Sequence, residues 1–297
     1  MIWIIVALVS PAFHAVANEF DAYLTNRFFR RPLTIAFYST LMGILFLPFI
    51  FFIELPYLPS PQVIPFLILA GIADVLYLYP YYKALQVDDT STVAALFSLG
   101  KISVPILAFL FVHERLTLTQ YLGVALIIIS SALLTLKHKK RFVLNKSFLY
   151  MGMCALILAV ESVVYKYVFE QVSWATGFTW STVASFIVVI AMLVVPSVRK
   201  DIVVHAKSFR RHGHLVFAEE FFTFAGSATG TFAIALAPVT IVESIGEIQP
   251  FFVLVVALLV YPFYPRMLKE HVDGRSIKKK IALFVLTAVG VFLVTRS

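Results

Sequence analysis

The chain is 297 residues long, 61% apolar and 13% charged, with a mean hydropathy of +0.93, whereas soluble domains carry about 25% charged residues. This excludes a soluble nucleic-acid binder, a secreted disulfide scaffold and a cytosolic enzyme. The net charge of +8 is read as a topology signal, because an excess of Lys and Arg in a membrane protein marks cytoplasmic loops.

A membrane span needs about 20 apolar residues, and the apolar runs predict helices at 2–22, 33–53, 63–84, 91–112 and 118–136 in the first half. The second half gives 148–168, 176–196, 215–236, 239–261 and 280–295. Met1 leads directly into Ile2-Trp3-Ile4 without a basic segment, so the first run is expected to stay in the protein as a helix rather than leave as a signal peptide. Runs this long without alternation exclude an outer-membrane barrel, and lipid then admits only helices. The single cysteine, Cys154, lies in an apolar run and offers neither a disulfide nor a thiolate metal site.

The loops divide the charge unevenly. Odd-numbered loops hold 20 of the 24 basic residues, among them Arg27, Arg30, Arg31, Lys137 to Lys146, Arg199 to Arg211 and Arg266 to Lys280. The even loops and the termini hold Arg115, Lys166 and Arg296, while Lys101 falls inside a helix. Positive charge stays on the cytoplasmic side, so the odd loops are expected inside and both termini outside.

The two halves match each other in short stretches. Tyr38-Ser39-Thr40 corresponds to Trp180-Ser181-Thr182, and Ser98-Leu99-Gly100-Lys101-Ile102 to Ser244-Ile245-Gly246-Glu247-Ile248, with Pro105 and Pro250 following. Matched order and spacing indicate a duplication, and five helices per unit, an odd number, invert the second copy relative to the first. The expected fold is therefore an all-α membrane protein of ten transmembrane helices in two inverted five-helix repeats, 1–136 and 148–297, joined by a basic cytoplasmic linker at 137–147. That plan places a binding site near mid-membrane at the repeat interface.

The segment Glu114-Arg115-Leu116-Thr117, followed by Gln120-Tyr121-Leu122-Gly123, resembles the signature of the EamA-type family of the drug/metabolite transporter superfamily. Lys269-Glu270 and Gly290-Val291 form a degenerate second copy. The resemblance implies a ten-helix transporter whose helices one, three, four, six, eight and nine line a cavity. Members usually have cytoplasmic termini; the charge distribution here supports the opposite.

An ionisable group deep in a bilayer costs about 2.5 to 3.5 kcal/mol on insertion scales and needs a partner, a proton or a cavity. His14, Asp74, Lys101, Glu161 and Glu247 lie at such depth, on helices that the resemblance assigns to the cavity. Ser98 and Lys101 share a face of helix four with Pro105, and Glu243 and Glu247 share a face of helix nine beside Pro250, where each proline frees a carbonyl one turn back. His14, Asp74, Ser98, Lys101, Glu161, Glu243 and Glu247 are the expected substrate and coupling-ion residues. Lys101 and Glu247, at matched positions, are expected to form an ion pair, and Glu161, with no basic residue within four positions, is expected to carry a coupling proton. Glu219 and Glu220 either guard an inner vestibule or reach the interface, and Tyr77, Tyr79, Tyr81 and Tyr82 offer cation–π faces or an interfacial belt.

The expected function is secondary transport of a small organic solute by alternating access, with an amino acid, amine or amphipathic cation favoured and protons as candidate coupling ion. The expected partners are that solute and the lipid bilayer, with no nucleic acid, no cofactor and no metal; His205, His212 and His214 lie in a basic loop rather than at a chelating site. No Walker A loop is present, and the expected location is the plasma membrane. The alternative class, an intramembrane enzyme or flippase acting on a lipid-linked substrate, needs a converging catalytic set that no motif supplies.

Overall fold

The computed structural model describes residues 2–88, 90–135, 146–260 and 274–295. Ten helical segments follow one another: α1 Ile2–Arg27, α2 Pro32–Phe51, α3 Ile64–Val87, α4 90–111, α5 Leu118–Thr135, α6 Lys146–Phe169, α7 Trp174–Val194, α8 Pro196–Leu236, α9 239–260 and α10 Gly274–Thr295. No strand occurs among the described residues. Five of the ten, α1, α2, α3, α6 and α7, are long and apolar enough to cross a membrane. Apolar side chains such as Ile5, Phe49, Ile68, Ile106, Leu122, Ile187 and Phe284 point outward, the surface an integral membrane protein presents to lipid.

Local sequence explains where the helices start, break and stop. Pro32 and Pro196 occupy the first helical position of α2 and α8, where a missing N–H costs nothing. Ser173 caps α7, its Oγ accepting from Thr176 N–H. Helix α4 is interrupted at Ile102–Ser103, just before Pro105, and α9 at Glu247–Ile248, just before Pro250. In each case the proline cannot donate to the carbonyl four residues earlier. Ala237, before Pro238, is extended and separates α8 from α9.

The Glu114 to Gly123 signature is a set of structural joints. His113 adopts a left-handed backbone, φ 54°, and Glu114 N–H bonds back to the Ala108 carbonyl at 3.1 Å, closing the end of α4. Thr117 and Gln120 then form a reciprocal capping box for α5, with Thr117 N–H donating to Gln120 Oε1 at 2.8 Å and Gln120 N–H to Thr117 Oγ1 at 3.3 Å. Gly123 lets α10 approach, since a Cβ there would stand 2.8 Å from the Gly290 carbonyl. The α5–α10 pair is further tied by a 2.5 Å hydrogen bond between Ser130 and Thr287.

Two boundaries differ from the expected ones. Helix α1 runs to Arg27 rather than ending near 22, which carries Asn18 and Asp21 well inside it. The basic stretch expected as a loop before helix eight is helical, so α8 is a single helix of 41 residues, about 60 Å at 1.5 Å per residue. Its first half is held by Tyr38, whose hydroxyl donates to the Ile202 carbonyl at 2.8 Å and whose ring stacks on Phe209 at 4.2 Å. Phe28 stacks on His212 at 3.8 Å, and Arg31 meets Asp201 at 3.5 Å. The periodic placement of Val198, Ile202, Phe209 and Val216 against the α1–α2 cluster accounts for the helix where charge alone suggests a loop. Residues 137–145 and Lys269-Glu270 lie outside the described residues.

Candidate functional site

Helices α1, α2, α3, α4, α6, α7, α8 and α9 enclose a cavity of about 250 Å³. The family resemblance implied six of these for its wall; α2 contributes Ser39 and Gly43, and α7 contributes Thr182 and Ser185. The described lining includes nothing from α5 or α10.

In the middle of α4, Lys101 forms an ion pair with Glu243 of α9, both side chains being more than four-fifths buried. Glu243 also accepts from Ser162 Oγ of α6 at 2.5 Å. The expected partner was Glu247; the ion pair within 4 Å is with Glu243. Glu243 stands in the intact part of α9, facing α6, whereas Glu247 occupies the turn that interrupts the helix. Glu247 is fully buried, lines the cavity and lies within electrostatic reach of Lys101.

On α3, Asp74 accepts from Ser185 Oγ of α7 at 2.9 Å. Glu161 of α6 is 6% exposed, lies within electrostatic reach of Asp74 and Lys101, and has an Oε2 with no hydrogen-bond partner. Tyr165, one turn on, donates to Ser181 Oγ at 3.0 Å instead. His14 of α1 presses its ring against Gly226 of α8, where a Cβ would stand 2.9 Å from it. Ser10 donates to the Gly226 carbonyl at 2.8 Å. Of the seven expected residues, His14, Asp74, Lys101, Glu161, Glu243 and Glu247 therefore line one cavity. The side chain of Ser98 lies outside the described residues.

Sequence reasoning left a second group of lining residues out of the expected site. Asp21 accepts from the Tyr81 hydroxyl at 2.9 Å, and Asn18 Oδ1 lies 2.8 Å from the same hydroxyl. Glu219 accepts from Ser39 Oγ and from Thr223 Oγ1, both at 2.8 Å. Glu220 packs against Gly43. Asn18, Asp21, Glu219 and Glu220 are all buried, and Glu219 lies within electrostatic reach of both Asp21 and Glu220. The signal for α1 was present in the spacing. His14, Asn18 and Asp21, at steps of four and three, share one face, but a helix ending near 22 put the last two at its frayed end. Tyr77, Tyr81 and Tyr82 line the cavity, while Tyr79 faces outward, 41% exposed, so the four tyrosines divide between the two expected roles.

The lining thus carries seven carboxylates, and Lys101 is the one lysine or arginine among the described lining residues.

No curated protein matches the sequence. One crystal structure of a protein has the same fold, with a TM-score of 0.63 and 13% identity over 99% of this chain and 97% of its own. The model of the EamA-like transporter family matches residues 1–136 of the 297.

Proposed function

We propose that the protein is a secondary transporter of the plasma membrane that moves a small cationic or zwitterionic organic solute, an amine or amino acid, by alternating access coupled to protons. The observation that carries this reading is the imbalance of seven carboxylates against one lysine around a cavity of about 250 Å³. Desolvated carboxylates need a cation or a proton to neutralise them, and a multiply anionic solute would meet repulsion without a compensating arginine. The match of residues 1–136 to the EamA-like transporter family supports movement of the solute rather than its retention. The breaks in α4 and α9 beside Lys101 and Glu247 suit a mid-membrane site built on interrupted helices. The reading includes two inverted five-helix units and both chain ends outside the cytoplasm, which the loop charges support.

The test is uptake of labelled aliphatic amines and amino acids into proteoliposomes with an imposed pH gradient. Saturable uptake of a cationic or zwitterionic solute is expected, reduced about tenfold or more in Glu247→Gln, the worth of one hydrogen bond to a charged group. Failure to move any of them, with cleavage or flipping of a lipid-linked substrate instead, overturns the reading in favour of an intramembrane enzyme or flippase.

A further inference from the structure

The carboxylates of the cavity fall into two groups at different depths. Glu161, Glu243 and Glu247 lie around Lys101 in one, with Asp74 within electrostatic reach of Glu161; Asp21 and Glu219 form the other with Tyr81 and Ser39, and Glu220 lies within electrostatic reach of both Asp21 and Asp74. Three helices cross both, and on each the offset is seven residues. Helix α1 places His14 at the first group and Asp21 at the second, and α3 places Asp74 and Tyr81 likewise. Helix α8 places Gly226, against His14, at the first and Glu219 at the second. Seven residues of helix rise about 10 Å.

Each group also holds a polar atom that the protein itself leaves unused. In the first it is Glu161 Oε2; in the second, Asp21 Oδ1. Both belong to side chains more than nine-tenths buried that line the cavity. A buried polar atom without a partner costs about 1 to 3 kcal/mol, so these atoms mark where a ligand completes the site. Lys101 is engaged by Glu243 in the first group, and no lysine or arginine occurs among the described lining residues of the second. Between the groups stands Tyr77, three residues after Asp74 and four before Tyr81, on the same cavity wall. Its ring offers an apolar surface for a methylene chain and a π face for a cation.

We infer that the solute is a linear organic dication, a diamine or polyamine, with one ammonium at Glu161 and Asp74 and the other at Asp21 and Glu219, its carbon chain lying along Tyr77. This deepens the transport reading and rests on it. A monoamine fills one group and leaves the other without its counter-charge, whereas a dication of matching length satisfies both.

The test is binding to the purified full-length protein in nanodiscs, by calorimetry, of α,ω-diaminoalkanes from diaminopropane to diaminodecane, each compared with the n-alkylamine of equal length. Affinity should peak at an intermediate length, with the best diamine about tenfold or more tighter than its monoamine. Asp21→Asn and Glu219→Gln should each narrow that gap, and the thermal midpoint of each unliganded variant checks that it is folded. Should one variant fail to fold, the other carries the comparison, and the chain-length profile of the wild type stands without either. Monoamines that bind as tightly as every diamine overturn the dication assignment, and their uptake in the same vesicles would leave the transport reading intact. Absence of binding and uptake for amines and amino acids alike brings down both.

Discussion

Glu114 accepts hydrogen bonds from the backbone N–H groups of Val239 and Thr240, at 2.7 and 3.1 Å, and so caps α9 from the end of its neighbour α4. A helix start leaves its first amides unpaired and carries partial positive charge, which a carboxylate satisfies on both counts. The preceding helix end is treated in the opposite sense, since Lys166 donates to the carbonyls of Ile234 and Ala237 at 3.4 and 3.3 Å. The joint between α8 and α9, which positions Glu243 and Glu247, is thus held by one anion and one cation. Glu114→Ala is expected to destabilise the protein by about 1 to 2 kcal/mol, the usual worth of a cap, with Glu114→Gln intermediate. Thermal unfolding in detergent reads this, and an unchanged midpoint in Glu114→Ala would show that the cap is dispensable.

The ion pair of Lys101 with Glu243 makes a distinct prediction. Removing one partner of a buried pair strands the other and costs about 3 to 5 kcal/mol. Lys101→Met alone should therefore be much less stable than Lys101→Met combined with Glu243→Gln. Losses that simply add in the double variant would mean that the two side chains do not depend on each other.

Close helix contact predicts which glycine tolerates a methyl group. A Cβ on Gly71 of α3 would stand 2.7 Å from Ser185 N and 2.8 Å from the Ser181 carbonyl, backbone atoms of α7 that cannot rotate away. Gly152 of α6 has nothing within 4 Å. Gly71→Ala should cost about 1 to 3 kcal/mol through overpacking, while Gly152→Ala should be neutral or slightly stabilising through helix propensity. Gly71→Ala should also loosen Asp74 from Ser185, because the same contact sets their spacing. Equal melting temperatures for the two variants would contradict the packing described.

Much of the helix arrangement was legible because a membrane span declares itself by length and hydropathy, and because prolines announce breaks. Side-chain pairing was less legible. Glu243 and Glu247 share a face of α9, and spacing alone does not say which meets Lys101; the ion pair is with Glu243, while Glu247 sits in the turn before Pro250 within electrostatic reach of Lys101. Asp21 and Asn18 were hidden by a helix end drawn five residues early, since polar side chains read as an exit from the membrane when they in fact face a cavity. Glu219 and Glu220 were ambiguous for the same reason. Charge density also masked the first half of α8, whose apolar stripe packs on α1 and α2 while Arg199, Lys200, Lys207, Arg210 and Arg211 point outward.

The topology prediction follows from these basic side chains. Arg31 of the first loop meets Asp201 of the basic segment before the spanning part of α8, so two of the most basic stretches lie on one side of the bundle. By the positive-inside rule that side is predicted to be cytoplasmic and both termini external. Alkaline phosphatase fused after Ser297 should be active and a fluorescent protein fused there dark. The reverse result would turn the protein over in the membrane while leaving the cavity chemistry unchanged.

Glu161 yields the prediction most directly tied to coupling. It is almost completely buried, one of its oxygens has no hydrogen-bond partner, and it makes no salt bridge among the described residues. Lys101, the cation within its reach, is taken by Glu243, and Tyr165 bonds to Ser181. A carboxylate so placed is neutralised either by the solute or by a proton, and alternation between the two is what couples a solute flux to a proton flux. Glutamine keeps the size and part of the hydrogen bonding but cannot gain and lose a proton as a carboxylate does. Glu161→Gln is therefore expected to retain solute exchange between equal concentrations while losing accumulation driven by a pH gradient, by about tenfold or more. Proteoliposomes loaded with solute and diluted into labelled solute measure the exchange; the same vesicles with an imposed pH step measure accumulation. If Glu161→Gln accumulates solute as well as the wild type and with the same pH profile, the proton is carried elsewhere, and Glu247, buried at the break of α9, is the carboxylate to replace next.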